Sequence, residues 1–278
     1  MKFISLFAGI GGLDLGLERA GLECVAQVEK EPFCLEVLTK HWAHVPKYKD
    51  VLDVGKHNLP TADLICGGFP CQDVSLTGKR AGLEGKRSTL WSEYFRIICE
   101  IRPRWALAEN VPGLLSSDNG EFFTRILRQL SSIGYDVEWH TIPAASFGAV
   151  HIRERVFILA HPACHKLEGR AIVPPPWSEQ PRKEQLSGLL QSRFRSTLPK
   201  RGNDGNNNGV PRRMDKLRSL GNAVYPPVAE YIGQCVLKAE ACLTKHAPDK
   251  WESAPSTGIF PPSRLSTSQS ESTPPTCG

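Results

Sequence analysis

Strand-like and helix-like segments alternate along residues 1–162, and this alternation constrains the fold more than any other feature of the chain. Short apolar runs with strand character are "KFISLF", "LECVAQVE", "ADLICGG", "PRWALAEN", "YDVEWHTI" and "RVFILA". Segments with helical spacing lie between most of them: "GGLDLGLERAG", "PFCLEVLTKHW", "STLWSEYFRIICEI" and "GEFFTRILRQLSSIG". The alternation predicts an α/β fold, a Rossmann-like arrangement in which a mostly parallel sheet carries helices on both faces.

Local signals refine the ends of these elements. Pro32 lies near the start of the second helix, where proline is favoured. Ser88 or Thr89 is predicted to cap the third helix, and Gly134 is predicted to end the fourth. Arg153 and Arg155 are predicted to alternate on the last strand, so that both side chains share one face.

The composition changes after residue 162, and it predicts four regions. Residues 1–162 form the sheet domain, and residues 163–210, rich in Pro, Gly and Asn, form a short loop-rich region. Residues 211–243 return to helical spacing. Residues 244–278 are rich in Ser, Thr and Pro, which predicts a disordered tail.

Several classes of protein are disfavoured by simple counts. No apolar run reaches the length of a membrane span, and the glycines and acids after "MKFISLF" argue against a signal peptide. The nine cysteines include no Cys-x-x-Cys pair, and "HPACH" has no second pair of ligands nearby, so we expect neither disulfides nor a metal site. These features fit a reducing cytoplasm.

Positive charge is concentrated in one part of the chain. Residues 165–213 contain ten Lys and Arg but four Asp and Glu, an excess larger than the net charge of +5 of the whole chain. Such a segment suits a polyanion such as nucleic acid. A solvated basic linker is the alternative, and charge alone does not decide between them.

Cys71 follows a predicted strand in "GGFPCQDVS". Ligands of open α/β sheets bind at the carboxyl ends of the strands, so Cys71 can be a nucleophile. A small buried apolar residue is the alternative, since free cysteine is usually buried.

A glycine-rich turn, "FAGIGG", joins the first strand to the first helix. Gly9 and Gly11 match the first two glycines of a dinucleotide fingerprint, but Asp14 departs from it. Glu29 at the end of the second strand can bind ribose hydroxyls, and Asp50 can accept from an adenine amino group. Together they indicate an adenosine-containing cofactor, although Glu29 alone can equally be a solvated acid.

Glu109 ends another predicted strand, in "ENV". With Cys71 at a neighbouring strand end, it can protonate a ring nitrogen while the thiolate attacks an electron-poor ring. Arg153 and Arg155 can orient a carbonyl or a phosphate. A structural acid and an exposed strand face are the respective alternatives.

The chain resembles the DNA cytosine-5 methyltransferases. The matching motifs are "FAGIGG", Glu29, Asp50, "GGFPCQDVS", "ENVPGLL", "RERVFILA" and "LGNAVYPPVAEYI", in the order of the family, over about residues 1–162 and 210–235. The resemblance implies S-adenosylmethionine as cofactor and double-stranded DNA as substrate. It also implies a monomer and, in some members, a restriction endonuclease acting on the same DNA site.

The resemblance also implies roles for individual residues. The catalytic residues would be Cys71, Glu109, Arg153 and Arg155. The cofactor pocket would comprise Phe7, Gly9, Ile10, Gly11, Gly12, Glu29, Asp50, Val51, Pro70, Leu90, Asn222 and Val224. Residues in and near the loop that closes on DNA, with two arginines after the recognition region, would contact DNA: Gln72, Ser75, Lys79, Arg80, Arg87, Arg212 and Arg213.

The chain departs from the family in two places. His151 occupies a position where glutamine is common, and the recognition region between "ERVFILA" and "LGNAV" is short, with "NNNGVPRRMDKLRSLGN" in place of the usual exit motif. A compact enzyme of the phage or prophage type is expected. The alternatives are a DNA-binding relative without turnover, a methyltransferase of transfer RNA, and, least favoured, an NAD-linked oxidoreductase.

Overall fold

The computed structural model describes residues 1–69, 87–162 and 213–244, which form seven strands and six helices. The strands are β1 (Lys2–Leu6), β2 (Glu23–Val28), β3 (Lys47–Tyr48), β4 (Leu64–Gly68), β5 (Trp105–Asn110), β6 (Tyr135–Pro143) and β7 (Glu154–Pro162). The helices are α1 (Gly12–Ala20), α2 (Pro32–His41), α3 (Arg87–Ile101), α4 (Glu121–Ser132), α5 (Arg213–Asn222) and α6 (Pro226–Thr244). Short 3-10 segments lie at Val51–Asp53, Pro112–Gly120 and Ala144–Phe147.

The seven strands form one sheet in the order β3-β2-β1-β4-β5-β7-β6. All pairs from β3 to β5 are parallel, whereas β7 is antiparallel to both of its neighbours. The chain moves outward from β1 to β3 and then returns to the other side of β1 with β4. This reversal creates the crevice at which open α/β sheets bind ligands.

Each face of the sheet is covered by helices, as the alternation predicts. On one face, strand residues such as Phe3 and Leu107 pack with Leu17 of α1, Leu38 of α2 and Ile232 of α6. The other face packs against α3 and α4, through a cluster that includes Trp91, Tyr94, Ile97, Ile126 and Leu130. These two cores hold the strand ends in fixed register.

Two local predictions are corrected, one strand was missed, and the predicted end of one helix is confirmed. β3, with only two residues, has no counterpart among the predicted strands. Helix α3 spans Arg87–Ile101, so Ser88 and Thr89 stand within the helix and neither precedes it as a cap. Arg153 precedes β7 with a φ of 34°, in the left-handed region, so it does not alternate with Arg155 on a strand. The predicted end of α4 is confirmed, because Gly134 follows it with a φ of 86°.

Some predictions concern residues outside the described part of the chain. They are the loop from Pro70 to residue 86, the recognition region at 163–210 and the tail beyond residue 244. Among the described helices, none combines the length and the apolar composition needed to cross a membrane.

Candidate active site

A cavity of about 630 Å³ opens at the carboxyl ends of the parallel strands. Its lining comes from all three described segments, since residues after β1, β2, β4 and β5 meet the 219–224 segment there. Of the predicted site residues, the lining contains Phe7, Gly9, Gly12, Glu29, Asp50, Val51, Leu90, Glu109, Arg155, Asn222 and Val224. Motifs that are far apart in the sequence therefore meet at one site.

The glycines of the turn are needed for different reasons. Gly9 has a φ of 57°, and a Cβ added there would meet nothing within 4 Å, so its backbone faces open space. A Cβ at Gly12 would lie 2.4 Å from the carbonyl oxygen of Val224, and one at Gly11 would lie 2.5 Å from the ring of Trp42. Close approach at Gly11 and Gly12 is thus required by the protein's own packing.

Ile10 and Gly11 do not line the 630 Å³ cavity, although both are predicted to bind cofactor. They line a neighbouring cavity of about 890 Å³, on the side of the turn that contains Trp42 and Arg153. The turn folds so that Phe7 to Gly9 face one cavity and Ile10 and Gly11 face the other, an orientation that the motif itself does not indicate.

Two carboxylates lie at the end of the cavity formed by β2 and the segment after β3. Glu29 accepts from the N–H of Gly9 at 2.6 Å and from the N–H of Glu31 at 2.7 Å. Asp50 accepts from the N–H of Leu52 at 3.1 Å and from Lys30 Nζ at 2.7 Å. The Lys30 hydrogen bond is the main reason why the pKa of Asp50 is lowered, so this group is an anion at neutral pH.

Glu109 and Arg155 form the opposite end of the cavity. Arg155 Nε lies 3.0 Å from Glu109 Oε1, and Glu109 is only 7% exposed. Burial raises the pKa of Glu109 to about 7, against the opposing effect of Arg155 and Arg153. A carboxyl with such a pKa holds its proton in much of the population at neutral pH, so it can donate to a ring nitrogen.

The end of β4 is fitted closely to Glu109. A Cβ at Gly68 would lie 2.6 Å from Glu109 Oε2, so a larger residue would displace the carboxylate. Phe69 packs on Trp91 with ring centroids 5.2 Å apart, and its carbonyl accepts from Asn110 Nδ2 at 3.0 Å. The backbone that leads to Cys71 is thereby tied to the strand end that carries Glu109.

Arg153 is not on the lining of the 630 Å³ cavity, in contrast to Arg155. Its Nη1 donates to the carbonyl of Gly221 at 2.7 Å and its Nη2 to that of Ala223 at 2.5 Å, while Nε is buried without a partner among the described residues. The sequence predicts that the two arginines share one face, but the structure gives them different environments.

Other predicted residues have no described side chain. Pro70, Cys71, Gln72, Ser75, Lys79, Arg80 and Arg212 lie outside the described residues. Arg87 and Arg213 begin α3 and α5, and nothing beyond these backbone positions is described.

Sequence reasoning missed several residues of the site. Lys30, Lys49 and Leu52 line the cavity with Asp50. Cys34 and Ser219 also line it, with Sγ and Oγ 3.5 Å apart. Asn110 was available as a signal, since it stands in "ENV" directly after Glu109. Within the described segments, no group of three or more His, Cys, Asp or Glu side chains is arranged to hold a metal ion.

The lining fits an adenosine-containing cofactor. Gly9 leaves its backbone accessible, and Glu29 and Asp50 together have more acceptor sites than their protein donors occupy, because a carboxylate has about four. Apolar contacts for a planar base are available from Phe7, Val51 and Leu52.

Comparisons with known proteins assign a family to most of the chain. A family model described as C-5 cytosine-specific DNA methylase matches residues 1–213. Among curated proteins, the Type II methyltransferase M.FnuDI of Fusobacterium nucleatum is 42% identical over 158 residues, which are 56% of this chain and 46% of that protein. The Type II methyltransferase M.HhaI of Haemophilus parahaemolyticus is 34% identical over 159 residues, 57% of this chain and 48% of that protein. The chain thus spans less than half the length of these two relatives.

Two methyltransferases are among the solved structures to which the chain is similar. A protein assigned as a DNA modification methyltransferase, encoded within an E. coli prophage, is 27% identical with a TM-score of 0.51 and covers 58% of this chain and 47% of its own. The Dnmt2 methyltransferase of S. pombe has a TM-score of 0.58 at 15% identity and covers 86% of this chain and 99% of its own, a likeness of fold.

Proposed function

The chain belongs to the family of C-5 cytosine-specific DNA methylases, and on that premise we propose that it methylates carbon 5 of cytosine in double-stranded DNA. The observation that carries the proposal is the buried Glu109–Arg155 pair, 3.0 Å apart, in the same cavity as Glu29 and Asp50. One cavity thus has a proton donor for a base at one end and acceptors for an adenosine at the other.

S-adenosylmethionine is the proposed cofactor, and when bound it supplies an electrophilic methyl group. Glu29 would accept from the ribose hydroxyls and Asp50 from the adenine amino group, while Val51 and Leu90 would pack on the adenine ring. Phe7, Gly9 and Gly12 would lie along the methionine part, and Asn222 and Val224 would close the pocket. Pro70 would complete it from the loop after β4.

The target cytosine would be flipped out of the duplex, because its ring cannot be reached within the stack. The Cys71 thiolate adds to carbon 6, which forms a carbon–sulfur bond and shifts the electrons of the 5,6 double bond toward carbon 5. Carbon 5 would then take the methyl group, whose bond to the sulfonium sulfur breaks with its electrons passing to sulfur, so that S-adenosylhomocysteine is left. Loss of the proton from carbon 5 to a base restores the 5,6 double bond and expels the thiolate, and ring nitrogen 3 returns its proton to Glu109.

Glu109 and Arg155 would act on the ring during this addition. Glu109, with a pKa of about 7, donates its proton to ring nitrogen 3 and so neutralises the negative charge that the attack of the thiolate creates. Arg155, held by Glu109, would donate to the carbonyl at carbon 2. Removal of either group should slow the chemical step more than it weakens cofactor binding.

DNA would be bound by basic and polar residues in or next to residues 70–86 and 163–212, which lie outside the described part of the chain. Gln72, Ser75, Lys79, Arg80 and Arg87 belong to the stretch after β4, and Arg212 and Arg213 follow the basic recognition region. Phosphate contacts of this kind position a protein on DNA, whereas base contacts specify the sequence. The named relatives support a role in restriction-modification or in phage DNA modification. Action as a monomer, with or without a cognate endonuclease, is part of the proposal.

The proposal is tested by transfer of label from S-adenosylmethionine to unmethylated DNA, with Cys71→Ser beside the wild type and bisulfite sequencing of the product. We expect label on carbon 5 of cytosine in one short sequence context, and none with the variant. Transfer RNA is the parallel substrate: label on RNA alone would overturn the proposal. An unaltered rate with Cys71→Ser would refute the covalent mechanism.

A further inference from the structure

Arg153 joins two segments that are distant in the sequence. Its guanidinium donates to the carbonyls of Gly221 and Ala223, 68 and 70 residues further along the chain. Two parallel donors on one planar group suit a pair of neighbouring carbonyls, which a lysine ammonium cannot match in the same geometry. The backbone at Arg153 is also in the left-handed region, at a φ of 34°, which is rare for a side chain other than glycine. The strained backbone and the paired hydrogen bonds occur at the same residue.

The segment that Arg153 binds forms one wall of the cofactor cavity: Ala223 lines this cavity, and Gly221 belongs to the same segment but lines the neighbouring cavity. Ser219, Asn222, Ala223 and Val224 form this wall. Its inner side rests on the glycine-rich turn, since a Cβ at Gly12 would lie 2.4 Å from the carbonyl oxygen of Val224. The wall is therefore held between the turn on one side and Arg153 on the other.

Ring contacts accompany the hydrogen bonds of Arg153. The rings of His151 and Tyr225 meet edge to face, with centroids 6.0 Å apart, and those of Phe147 and Tyr231 lie 5.3 Å apart. The chain before β7 thus packs along the linker between α5 and α6 and the first half of α6. Arg153 contributes the hydrogen bonds in a contact that is otherwise apolar and aromatic.

We propose that Arg153 is a positioning residue that fastens the 219–224 wall of the cofactor cavity to the start of β7, and so sets cofactor affinity without contacting the cofactor. This inference rests on the proposed function for the identity of the ligand. Because β7 also carries Arg155, two residues away and paired with Glu109, Arg153 links the cofactor wall to the site at which the base reacts. The sequence motif groups both arginines as catalytic, whereas the geometry separates them.

The first measurement is amide hydrogen exchange of residues 219–224 in the protein without any ligand, for wild type, Arg153→Met and Arg153→Lys. Both variants lose the paired donors, so we expect this exchange to accelerate by about tenfold or more, as the loss of charge-assisted hydrogen bonds implies. Arg104→Met is the matched control. Arg104 pairs with Glu240 near the end of α6, so its loss removes an ion pair to the C-terminal helix but no contact to the 219–224 wall itself. We expect the control to leave exchange of the wall unchanged.

The second measurement is the Kd of S-adenosylmethionine by calorimetry on the same proteins. We expect a rise of about tenfold for both Arg153 variants and wild-type affinity for Arg104→Met. Wild-type exchange and Kd combined with a lower rate of methyl transfer would overturn the inference and return Arg153 to direct action on the substrate. If wild type itself does not bind this cofactor, the proposed function fails, and the exchange experiment still decides whether Arg153 fastens the wall.

Discussion

At the scale of single residues, burial sets the protonation of two carboxyl groups that have different partners. Glu109 faces the cavity and Arg155, whereas Asp14 lies inside the sheet domain, fully buried among Ser5 and Gln27. Burial raises the pKa of both, to about 7 for Glu109 and to about 6 for Asp14. Glu109 can give its proton to a substrate, while Asp14 has only protein partners, so the same effect bears on catalysis in one case and on stability in the other.

The first prediction concerns the pH dependence of methyl transfer. Since Glu109 acts while protonated, kcat/KM should fall as the pH rises above about 7 once it is corrected for the thiolate fraction of Cys71, which increases over the same range. Glu109→Gln keeps the shape of the side chain but cannot give up a proton, so we expect the rate to fall by about 10²–10⁴-fold and this alkaline decline to disappear. Initial rates between about pH 6 and 9 are the measurement. Glu154→Gln, at an exposed position at the start of β7, is the control, and a decline that persists in Glu109→Gln would assign it to another group.

The second prediction concerns stability. The pKa of Asp14 is about 6 in the folded state and about 3.8 in the unfolded state, so folding takes up a proton between these values. Stability is therefore lost as the pH rises through this window, by about 3 kcal/mol in all. Asp14→Asn can keep the bonds to Ser5 and Gln27 without ionising, so its free energy of unfolding should exceed that of wild type at pH 8 and approach it near pH 4. Urea unfolding at both pH values is the test, and an equal difference at both would exclude ionisation as the cause.

At the scale of elements, α6 docks on α1 through small residues. A Cβ at Gly16 would lie 2.5 Å from the Cβ of Ala229, and one at Gly233 would lie 2.8 Å from that of Ala20. The two helices can approach closely only because these positions lack larger side chains. This contact brings the 219–224 wall back to the glycine-rich turn, so helix packing determines the geometry of the cavity.

The third prediction uses this contact. Alanine is favoured over glycine by about 1 kcal/mol inside a helix, yet Gly16→Ala should destabilise the protein by about 1–3 kcal/mol because it forces α6 away from α1. Gly221→Ala in α5 is the matched control, since its added Cβ would meet nothing within 4 Å, and it should be neutral or slightly stabilising. Thermal unfolding of the two variants compares them directly. Equal shifts would mean that the α1–α6 contact is looser than described.

The elements also mark how far the sequence predicts the structure. Alternating apolar patterns give six of the seven strands, but β3 is two residues long and contains no period to detect. Strand-end motifs bring Glu29, Asp50 and Glu109 to one cavity because carboxyl ends of parallel strands share an edge. The hydrogen bonds of Arg153 with Gly221 and Ala223 are not predictable in this way, since they depend on a left-handed backbone angle and on partners about 70 residues away.

At the scale of the whole molecule, the cavity and the concentrated positive charge lie in different parts of the chain. The three described segments all contribute to the one cavity, whereas the concentrated positive charge lies in residues 165–213, almost wholly outside them. Under the proposed function, chemistry and DNA contact would therefore be carried by different parts of a chain that spans less than half the length of two curated relatives. With a short recognition region, phosphate contacts should supply a large share of the affinity for DNA.

The fourth prediction concerns the contribution of phosphate contacts to DNA affinity. Each phosphate contact releases counterions, so the logarithm of the DNA association constant should fall linearly with the logarithm of salt concentration, by about 0.9 per contact. Replacing Arg212 and Arg213 by Gln should reduce the slope by about 1–2 and weaken binding to all sequences alike. Arg125 and Arg128 on α4, both exposed, provide a charge-matched control pair whose replacement should leave the slope unchanged. Fluorescence anisotropy across a salt series measures the slope. Equal slopes for the two double variants would mean that the charge after the recognition region contacts no phosphate, and specific base contacts would then have to carry the affinity.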